Sequence, residues 1–279
     1  MPFRKRKIIT ADKKVFYWEK NHSNDEVLVF LHGFPGNHVS LLDLAKHFKG
    51  YRIIIPDLPG CGKSDTLDCK HNLHNYSEWL NCFLDALSIK KATFIGHSFG
   101  ARVGLVFSGN YDKRVNKLVL ITPVVKAEGI IARFVSMEYK IAEILPESFK
   151  KAWLSNFIHY KVGDLIVYKT ASKKRRQEFS ARRDQEIKNL NPQINIDLCK
   201  ELYSHSLVSA GKKVESKTLV IAGKLDEIAP LDSVQELVSH IKNGKLVIME
   251  KSGHVVTVES PKSTAEIIKK WFAEERLAV

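Results

Sequence analysis

The stretch FIGHSFGARVG, residues 94–104, decides the fold, because it sets a serine between two glycines directly after an apolar run. Gly96 and Gly100 carry no Cβ atom, so the backbone can turn tightly here from a strand into a helix. Such a turn displays the hydroxyl of Ser98 on an elbow. Because a serine hydroxyl is inert at neutral pH without a base, a nucleophilic Ser98 requires a histidine and a carboxylate elsewhere in the chain.

Short apolar runs rich in β-branched residues recur along the chain, with helix-like segments between them. Such runs predict strands that are buried on both faces of a parallel sheet. The runs are VLVFLHG (27–33), YRIIIPD (51–57), ATFIGHS (92–98), KLVLITP (117–123), KTLVIAG (217–223) and GKLVIME (244–250). The alternation is that of a doubly wound α/β fold, and the earlier segments RKIIT and KVFYWEK predict an antiparallel hairpin before the mostly parallel sheet.

Predicted helices fill most of the intervals between these strands. They are YSEWLNCFLDALS from 76, FGARVGLVFSGNY from 99, LDSVQELVSHI from 231 and STAEIIKKWFAEE after Pro261. The interval 126–215 is too long for a loop and lacks a convincing strand, which predicts an inserted helical lid. The predicted domains are therefore a core of residues 1–125 and 216–279 and a lid of residues 126–215.

The lid contains many apolar and aromatic side chains. We expect some of them to wall an apolar substrate pocket, although about half of such residues would instead pack inside the lid itself. The candidate substrate-binding residues are Phe134, Met137, Trp153 and Phe157.

The partners that Ser98 needs follow two later strands. Asp226 stands in GKLDEIAP after the run 217–223, and His254 stands in KSGHVVTVESP after the run 244–250. The carboxyl ends of the strands are the edge at which open α/β sheets place their sites, and Ser98 lies at the same edge. The sequence thus predicts a nucleophile, an acid and a base, in that order along the chain.

Five motifs in order, HGFPG, PDLPGCGKSD, GHSFG, GKLDEIAP and SGHVVTVESP, span residues 32–261. With them the chain resembles the α/β-hydrolase family, although the lid carries no motif of that family. The resemblance implies that Ser98 attacks, His254 transfers the proton and Asp226 orients His254. It also implies an oxyanion hole formed by the backbone N–H groups of Phe34 and Phe99.

A serine at the elbow favours attack on an acyl carbon, whereas similar-looking epoxide hydrolases and haloalkane dehalogenases use an aspartate there. We therefore expect a serine carboxylesterase that cleaves an ester with an apolar acyl or alcohol part. The alternatives are a lysophospholipase or monoacylglycerol lipase, a thioesterase, or an esterase of acyl groups on an acidic carrier protein, as in pimeloyl methyl ester esterases. A ligand sensor of hydrolase fold is the alternative outside enzymes. Glu128 is a second candidate acid, although it follows its strand by several residues.

The net charge is +13, with a pI near 9.5, and basic residues concentrate at 4–7, 173–176 and 182–183. We expect these basic residues to form a solvated surface. The alternative is that the basic lid attracts an acidic acyl-carrier protein. No RNA-binding or helix-turn-helix signature accompanies these residues, so nucleic acid is not an expected partner. Without an apolar stretch of the length that a signal or a membrane span needs, and with cysteines expected as reduced thiols, a cytoplasmic location is predicted.

Two short motifs suggest nucleotide chemistry but fail on spacing. GKS at 62–64 is typical of a phosphate-binding loop, but the first glycine of that motif would fall at Asp57. In GCGKSD, Asp65 stands where a dinucleotide fingerprint has its third glycine. The segment DCKHNLH, with His71, lacks a second cluster at zinc spacing and is expected on a surface loop. No metal and no cofactor are predicted.

Overall fold

The computed structural model describes residues 2–126, 129–154, 167, 170–189, 191–204 and 206–277. Within these ranges the chain forms one sheet of eight strands. The strands are β1 (Arg4–Thr10), β2 (Lys13–Lys20), β3 (Val27–Leu31), β4 (Arg52–Pro56), β5 (Ala92–His97), β6 (Val115–Ile121), β7 (Thr218–Gly223) and β8 (Gly244–Met249).

The strand order is β1-β2-β4-β3-β5-β6-β7-β8. β1 and β2 form an antiparallel hairpin, β2 pairs antiparallel with β4, and every later pairing is parallel. This confirms the predicted α/β fold with a mostly parallel sheet and an N-terminal hairpin. β3, β5 and β7 are buried along their whole length, as their apolar runs predict. β8 is only half-buried, contrary to the buried strand predicted, because it is an edge strand with one neighbour.

Helices cover both faces of the sheet. The helices are α1 (Val39–Ala45), α2 (Leu73–Ala86), α3 (Phe99–Asn110), α4 (Gly129–Ile144), α5 (Glu147–Leu154), α6 (Lys173–Asn189), α7 (Pro192–Ser204), α8 (Val208–Gly211), α9 (Leu231–Ser239), α10 (Val256–Glu259) and α11 (Pro261–Leu277). One apolar core lies between the sheet and α2, α3 and α9, and a second lies between the sheet and α1 and α11. The sheet is therefore wound on both sides, as a parallel sheet requires.

The start of α2 differs from the prediction. The helix begins at Leu73 and not at Tyr76, because the side-chain oxygen of Asn72 accepts a hydrogen bond from the N–H of Asn75 at 2.8 Å and caps the helix. The sequence predicts that the segment DCKHNLH lies on a surface loop. For His71 this prediction is wrong, because its side chain is buried, with 4% exposure. The Nδ1–H of His71 donates to the hydroxyl oxygen of Tyr76 at 2.8 Å, and that hydroxyl donates to the carbonyl of Pro59.

Between β6 and β7 the described residues are helical, in α4 to α8. The two ends of the segment 125–207 lie side by side, because the N–H of Leu207 donates to the carbonyl of Val125 at 3.0 Å. Helix α7 shares the core of α2 and α3 through Ile194 and Leu198. Because α7 packs directly against the main domain, the structure gives no clear border between the two predicted domains. The lid boundaries 126–215 therefore stay a prediction. No helix in the described ranges is both long and apolar enough to cross a membrane.

Candidate active site

Ser98 lies at the junction of β5 and α3 with φ 53° and ψ −114°. L-residues rarely adopt a positive φ, and such strain persists only where the surroundings enforce it. A Cβ atom at Gly96 would lie 2.4 Å from the carbonyl oxygen of Gly100, and one at Gly100 would lie 2.1 Å from that of Leu31. Both glycines are therefore needed for the close approach that forms the elbow.

Ser98, His254 and Asp226 lie together at the carboxyl edge of the sheet, and all three are buried. The hydroxyl of Ser98 donates to Nε2 of His254 at 2.9 Å. The Nδ1–H of His254 donates to Oδ2 of Asp226, also at 2.9 Å. The second carboxylate oxygen, Oδ1, accepts the backbone N–H groups of Ile228 and Ala229 at 2.8 and 2.9 Å. A hydroxyl, an imidazole and an oriented carboxylate in this chain of hydrogen bonds can perform nucleophilic catalysis.

The backbone around His254 is held on both sides. A Cβ atom at Gly223, the last residue of β7, would lie 2.2 Å from the carbonyl oxygen of Gly253, so the histidine loop rests on that strand end. The N–H of Gly253 donates to Glu259 Oε2 at 3.0 Å and to Thr170 Oγ1 at 3.1 Å. The loop is therefore tied both to α10 and to a residue of the insertion.

Two buried residues donate to the carbonyl oxygen of His254. Thr122 donates from Oγ1 at 2.8 Å, and His97 donates from Nε2 at 3.1 Å. Burial, and after it the charge of His254, lowers the pKa of His97 to about 3, so its ring is neutral. His97 lies beside Ser98 in the motif GHSFG, but the sequence does not predict its bond to the His254 carbonyl, and no sequence signal singles out Thr122.

The predicted oxyanion donors lie at the same edge. Hydrogen bonding along α3 begins with the N–H groups of Ala101 and Arg102, which donate to the carbonyl of Ser98, so the N–H of Phe99 precedes the first of these bonds. Phe34 lies in the loop after β3, and its ring contacts that of Phe99 edge-on, with centroids 6.4 Å apart. The two N–H groups as oxyanion donors stay a prediction.

Asp57 fixes the loop that carries Phe34. It is fully buried and accepts the N–H of His38 at 3.0 Å, the Nδ1–H of His38 at 2.7 Å and the N–H of Lys63 at 3.0 Å. Burial alone would raise the pKa of Asp57, but the hydrogen bond and charge of His38 outweigh burial and lower it. The buried carboxylate therefore ties the motif PDLPGCGKSD to His38, just after the motif HGFPG, and the N–H of Leu58 links the two motifs directly by donating to His32 Nε2 at 3.0 Å.

Helices of the insertion contact both loops of the site. Phe34 packs against a small apolar cluster of α4, α5 and α7, formed by Tyr139, Ala142, Leu154, Ile196 and Cys199. Ala171 and Phe179 pack against Val255 and Val258, which follow His254. The insertion thus adjoins the predicted oxyanion loop on one side and the histidine loop on the other.

The predicted pocket residues of the insertion are only partly described. Met137 and Trp153 are 52% and 39% exposed and do not belong to the apolar cluster on Phe34. The side chain of Phe134 and the whole of Phe157 lie outside the described residues, as does the alternative acid Glu128. The pocket assignment of these residues stays a prediction.

Other features of the described residues lie away from this edge. A cavity of about 290 Å³ opens at the opposite end of the strands, lined among others by Tyr51, Lys117, Phe272 and Arg276. Among the described residues no group of histidine, cysteine and acidic side chains has the arrangement of a metal site. The four cysteines, of which Cys61 and Cys199 are buried, form no disulfide.

Known proteins match the chain along most of its length. The sequence model of the family described as alpha/beta hydrolase fold matches residues 26–261. Lipase 1 of Psychrobacter immobilis is 26% identical over 268 residues, which cover 94% of this chain and 81% of the lipase. The 2-hydroxy-6-oxononadienedioate/2-hydroxy-6-oxononatrienedioate hydrolase of Paraburkholderia phymatum is 30% identical over 256 residues, which cover 84% of each chain.

A solved structure gives the same fold. The esterase EaEST from Exiguobacterium antarcticum superposes with a TM-score of 0.80 at 20% identity, covering 96% of this chain and 99% of the esterase. The geometry of the elbow at Ser98, the order of the strands and the match to the family model all indicate the same fold. The chain belongs to the alpha/beta hydrolase fold family.

Proposed function

We propose that this hydrolase is a serine carboxylesterase that cleaves an ester with an apolar acyl or alcohol part through an acyl-enzyme. The observation that carries the proposal is the hydrogen-bonded chain from Ser98 through His254 to Asp226, with both links at 2.9 Å, on a strained elbow. The similarity to Lipase 1 of Psychrobacter immobilis favours an ester with an apolar part as the substrate class.

In the acylation half-reaction, Ser98 Oγ bonds to the acyl carbon while its proton passes to Nε2 of His254. The Asp226 carboxylate holds the Nδ1–H tautomer and stabilises the imidazolium that forms. Collapse of the tetrahedral intermediate breaks the bond to the leaving oxygen, which takes the proton from Nε2. The alcohol departs, and the acyl group stays on Ser98.

In the deacylation half-reaction, a water molecule takes the place of the alcohol. Its oxygen bonds to the acyl carbon, and one of its protons passes to His254 Nε2. Collapse releases the carboxylic acid and returns that proton to Ser98 Oγ. In both halves the backbone N–H groups of Phe34 and Phe99 would stabilise the oxyanion, each contributing on the order of 3 kcal/mol to the transition state.

The insertion gives the proposed site its apolar wall. The cluster of α4, α5 and α7 packs on Phe34, the residue assigned to the oxyanion hole. An acyl chain that lies beside Ser98 would therefore be covered by these helices, as apolar ligand sites usually are. The role of the insertion as a lid belongs to this proposal.

The proposal is tested by the Ser98→Ala variant with p-nitrophenyl butyrate and a fluorescent fluorophosphonate. We expect the wild-type protein to turn over the ester many times and to be labelled at one residue, and the variant to do neither. Ser108→Ala is the matched control, because Ser108 lies farther along α3 and bonds Ser216 away from the site. Labelling of the Ser98 variant at the wild-type rate would refute the assignment, and a single turnover in the wild type would favour the ligand sensor.

Hydrolysis of a carbon–carbon bond is a second candidate, and one observation favours it. The relative from Paraburkholderia phymatum, at 30% identity, is named for hydrolysis of 2-hydroxy-6-oxononadienedioate. Its substrate is a dicarboxylate, whereas the esterase proposal requires a neutral, apolar acyl or alcohol part. Parallel measurement of kcat/KM for 2-hydroxy-6-oxononadienedioate and p-nitrophenyl butyrate decides between them, and a clear preference for the dienedioate would replace the esterase.

A further inference from the structure

Two buried residues of the described chain combine a non-glycine side chain with a positive φ. They are Ser98, with φ 53°, and Thr122, with φ 42°, directly after β5 and β6. For a β-branched residue such as threonine this conformation is a true outlier, and strain of this kind clusters at functional sites. The remaining non-glycine residues with positive φ in the described ranges lie in more exposed turns, at Ala11, Asp12, Asn21 and Ser88.

The hydroxyls of both strained residues bond the same histidine. Ser98 donates to the imidazole of His254 at Nε2, and Thr122 donates to the main-chain carbonyl of His254 at 2.8 Å. Thr122 is itself fixed, because its N–H donates to the carbonyl of Ile221 in β7 at 2.7 Å. The carbonyl of His254 also accepts a hydrogen bond from His97 Nε2, which uses both acceptor positions of that oxygen.

We propose that Thr122 and His97 are positioning residues, which hold the main chain of His254 so that its Nε2 stays within hydrogen-bond reach of Ser98. The inference rests on the proposed serine hydrolase function and gives both residues a role that neither the motifs nor the relatives' names state, although His97 lies within the motif GHSFG. Neither residue touches the reacting atoms, and both act through His254.

The place of His254 in the fold explains why it needs this support. Its loop follows β8, a half-buried edge strand that pairs with β7 alone. By contrast, Thr122 directly follows β6 and His97 is the last residue of β5, and both strands lie in the interior of the sheet. Their two hydrogen bonds therefore tie a loop at the margin of the sheet to its centre.

His97 suits this task because it is a neutral donor. Burial keeps its ring uncharged, so it adds no second positive charge beside the imidazolium that His254 becomes during turnover. Its Nδ1 has no hydrogen-bond partner among the described residues, while Nε2–H is fully used on the His254 carbonyl.

The test compares Thr122→Val, which removes the hydroxyl but keeps the β-branched shape, with Thr122→Ser, which keeps the hydroxyl. We expect kcat for p-nitrophenyl butyrate and the rate of fluorophosphonate inactivation to fall about tenfold in the valine variant, with KM changed less than about twofold. The serine variant should regain most of the loss. The thermal unfolding midpoint is measured in parallel for each variant.

Thr218→Val is the matched control. Thr218 is also fully buried, and its Oγ1 donates to the carbonyl of Ser216 at 2.9 Å, at the end of β7 remote from the site. We expect this variant to lose stability but to keep the wild-type kcat. Equal kcat in both valine variants, or a serine variant as slow as the valine one, would overturn the inference.

His97 supplies a second, independent pair of variants if Thr122→Val does not fold. The amide nitrogen of a glutamine can replace Nε2 as a donor, so His97→Gln should keep kcat above that of His97→Leu by several-fold at similar KM. Equal kcat for the two variants would count against the positioning role. The Ser98→Ala experiment is separate: if that variant keeps full activity, the proposed function fails, whereas normal kcat in Thr122→Val removes only this inference.

Discussion

At the scale of single residues, the elbow depends most on Gly100, where an added Cβ atom would make the closest contact. Gly100→Ala would place a Cβ atom 2.1 Å from the carbonyl oxygen of Leu31, which belongs to β3 and cannot move aside. We expect this variant to unfold at a much lower temperature and to lose fluorophosphonate labelling.

The control for this prediction is Gly104→Ala, one turn farther along α3. There the new Cβ atom would meet Leu118 Cδ1 at 3.4 Å, which is ordinary contact. Because alanine stabilises a helix interior by up to about 1 kcal/mol relative to glycine, this variant should be at least as stable as the wild type and fully labelled. Similar unfolding temperatures for the two variants would contradict the argument.

Also at the residue scale, His71 makes the stability of the fold sensitive to acid. Burial lowers the pKa of His71 to about 4, partly offset by the charge of Asp197, whereas an unfolded histidine has a pKa near 6.5. Between these values the unfolded chain binds a proton that the folded chain does not, so the free energy of unfolding decreases as the pH falls. The maximal slope from one such group is about 1.4 kcal/mol per pH unit.

The test is the His71→Asn variant, whose amide can keep the hydrogen bond to Tyr76 but does not titrate. Denaturant unfolding at several pH values from about 7 to 4 should show a shallower loss of stability in the variant than in the wild type. Some slope should remain, since buried His97 has a depressed pKa as well. An unchanged slope would show that His71 is protonated in the folded chain.

How much of the site the sequence predicts depends on the kind of residue. Ser98, Asp226 and His254 are predictable, because each sits in a recognisable motif after an apolar run and the three occur in a fixed order. Thr122 is not predictable, because its position depends on a backbone conformation with positive φ, and nothing in the local sequence indicates that conformation. The burial of His71 is likewise not predictable, because its N–H donates to Asp197, a residue of α7 that is distant in the sequence.

At the scale of elements, α6 is a support of the histidine loop as well as a basic surface. Arg175 Nη1 donates to the carbonyl of Val258, and Phe179 packs against Val255 and Val258. The basic residues of α6 are therefore not equivalent. Lys173 and Lys174 face solvent, while Arg175 ties the helix to the segment after His254.

A matched pair of variants separates these two roles. Arg175→Met, which keeps the apolar stem but removes the guanidinium, should lower kcat for p-nitrophenyl butyrate several-fold by loosening the histidine loop. Lys174→Met, on the same helix, should leave kcat unchanged. Wild-type steady-state kinetics in both variants would contradict the idea that α6 supports the loop of His254.

The strands are the elements that sequence predicts best. A strand with two neighbours and a helix on each face is apolar throughout, so β3, β5 and β7 follow from composition alone. The edge position of β8 could not be predicted, because its sequence is as apolar as that of an inner strand. Strand order depends on contacts between distant segments, which a local pattern does not contain.

At the scale of the whole molecule, the net charge of +13 raises the question of an acidic partner. For an ester carried on an acidic acyl-carrier protein, we expect reversal of Lys173 and Lys174 to glutamate to lower kcat/KM, and to do so most at low ionic strength. The same variant should hydrolyse neutral p-nitrophenyl butyrate at the wild-type rate, because neither lysine contacts the histidine loop in the way Arg175 does. Equal losses on both substrates across salt concentrations would remove the carrier proposal.

The adjacency of Val125 and Leu207 has a consequence for how such a protein can diversify. Because Val125, shortly after β6, and Leu207, ahead of α8 and β7, are hydrogen-bonded neighbours, the segment between them can be exchanged without moving β6 or β7. Recombination or insertion at a single place could thus change the proposed substrate pocket, provided that the new segment again holds the loop of His254. Helix α7 sets the limit on this freedom, since a replacement must again fill the space of Ile194 and Leu198 in the shared core.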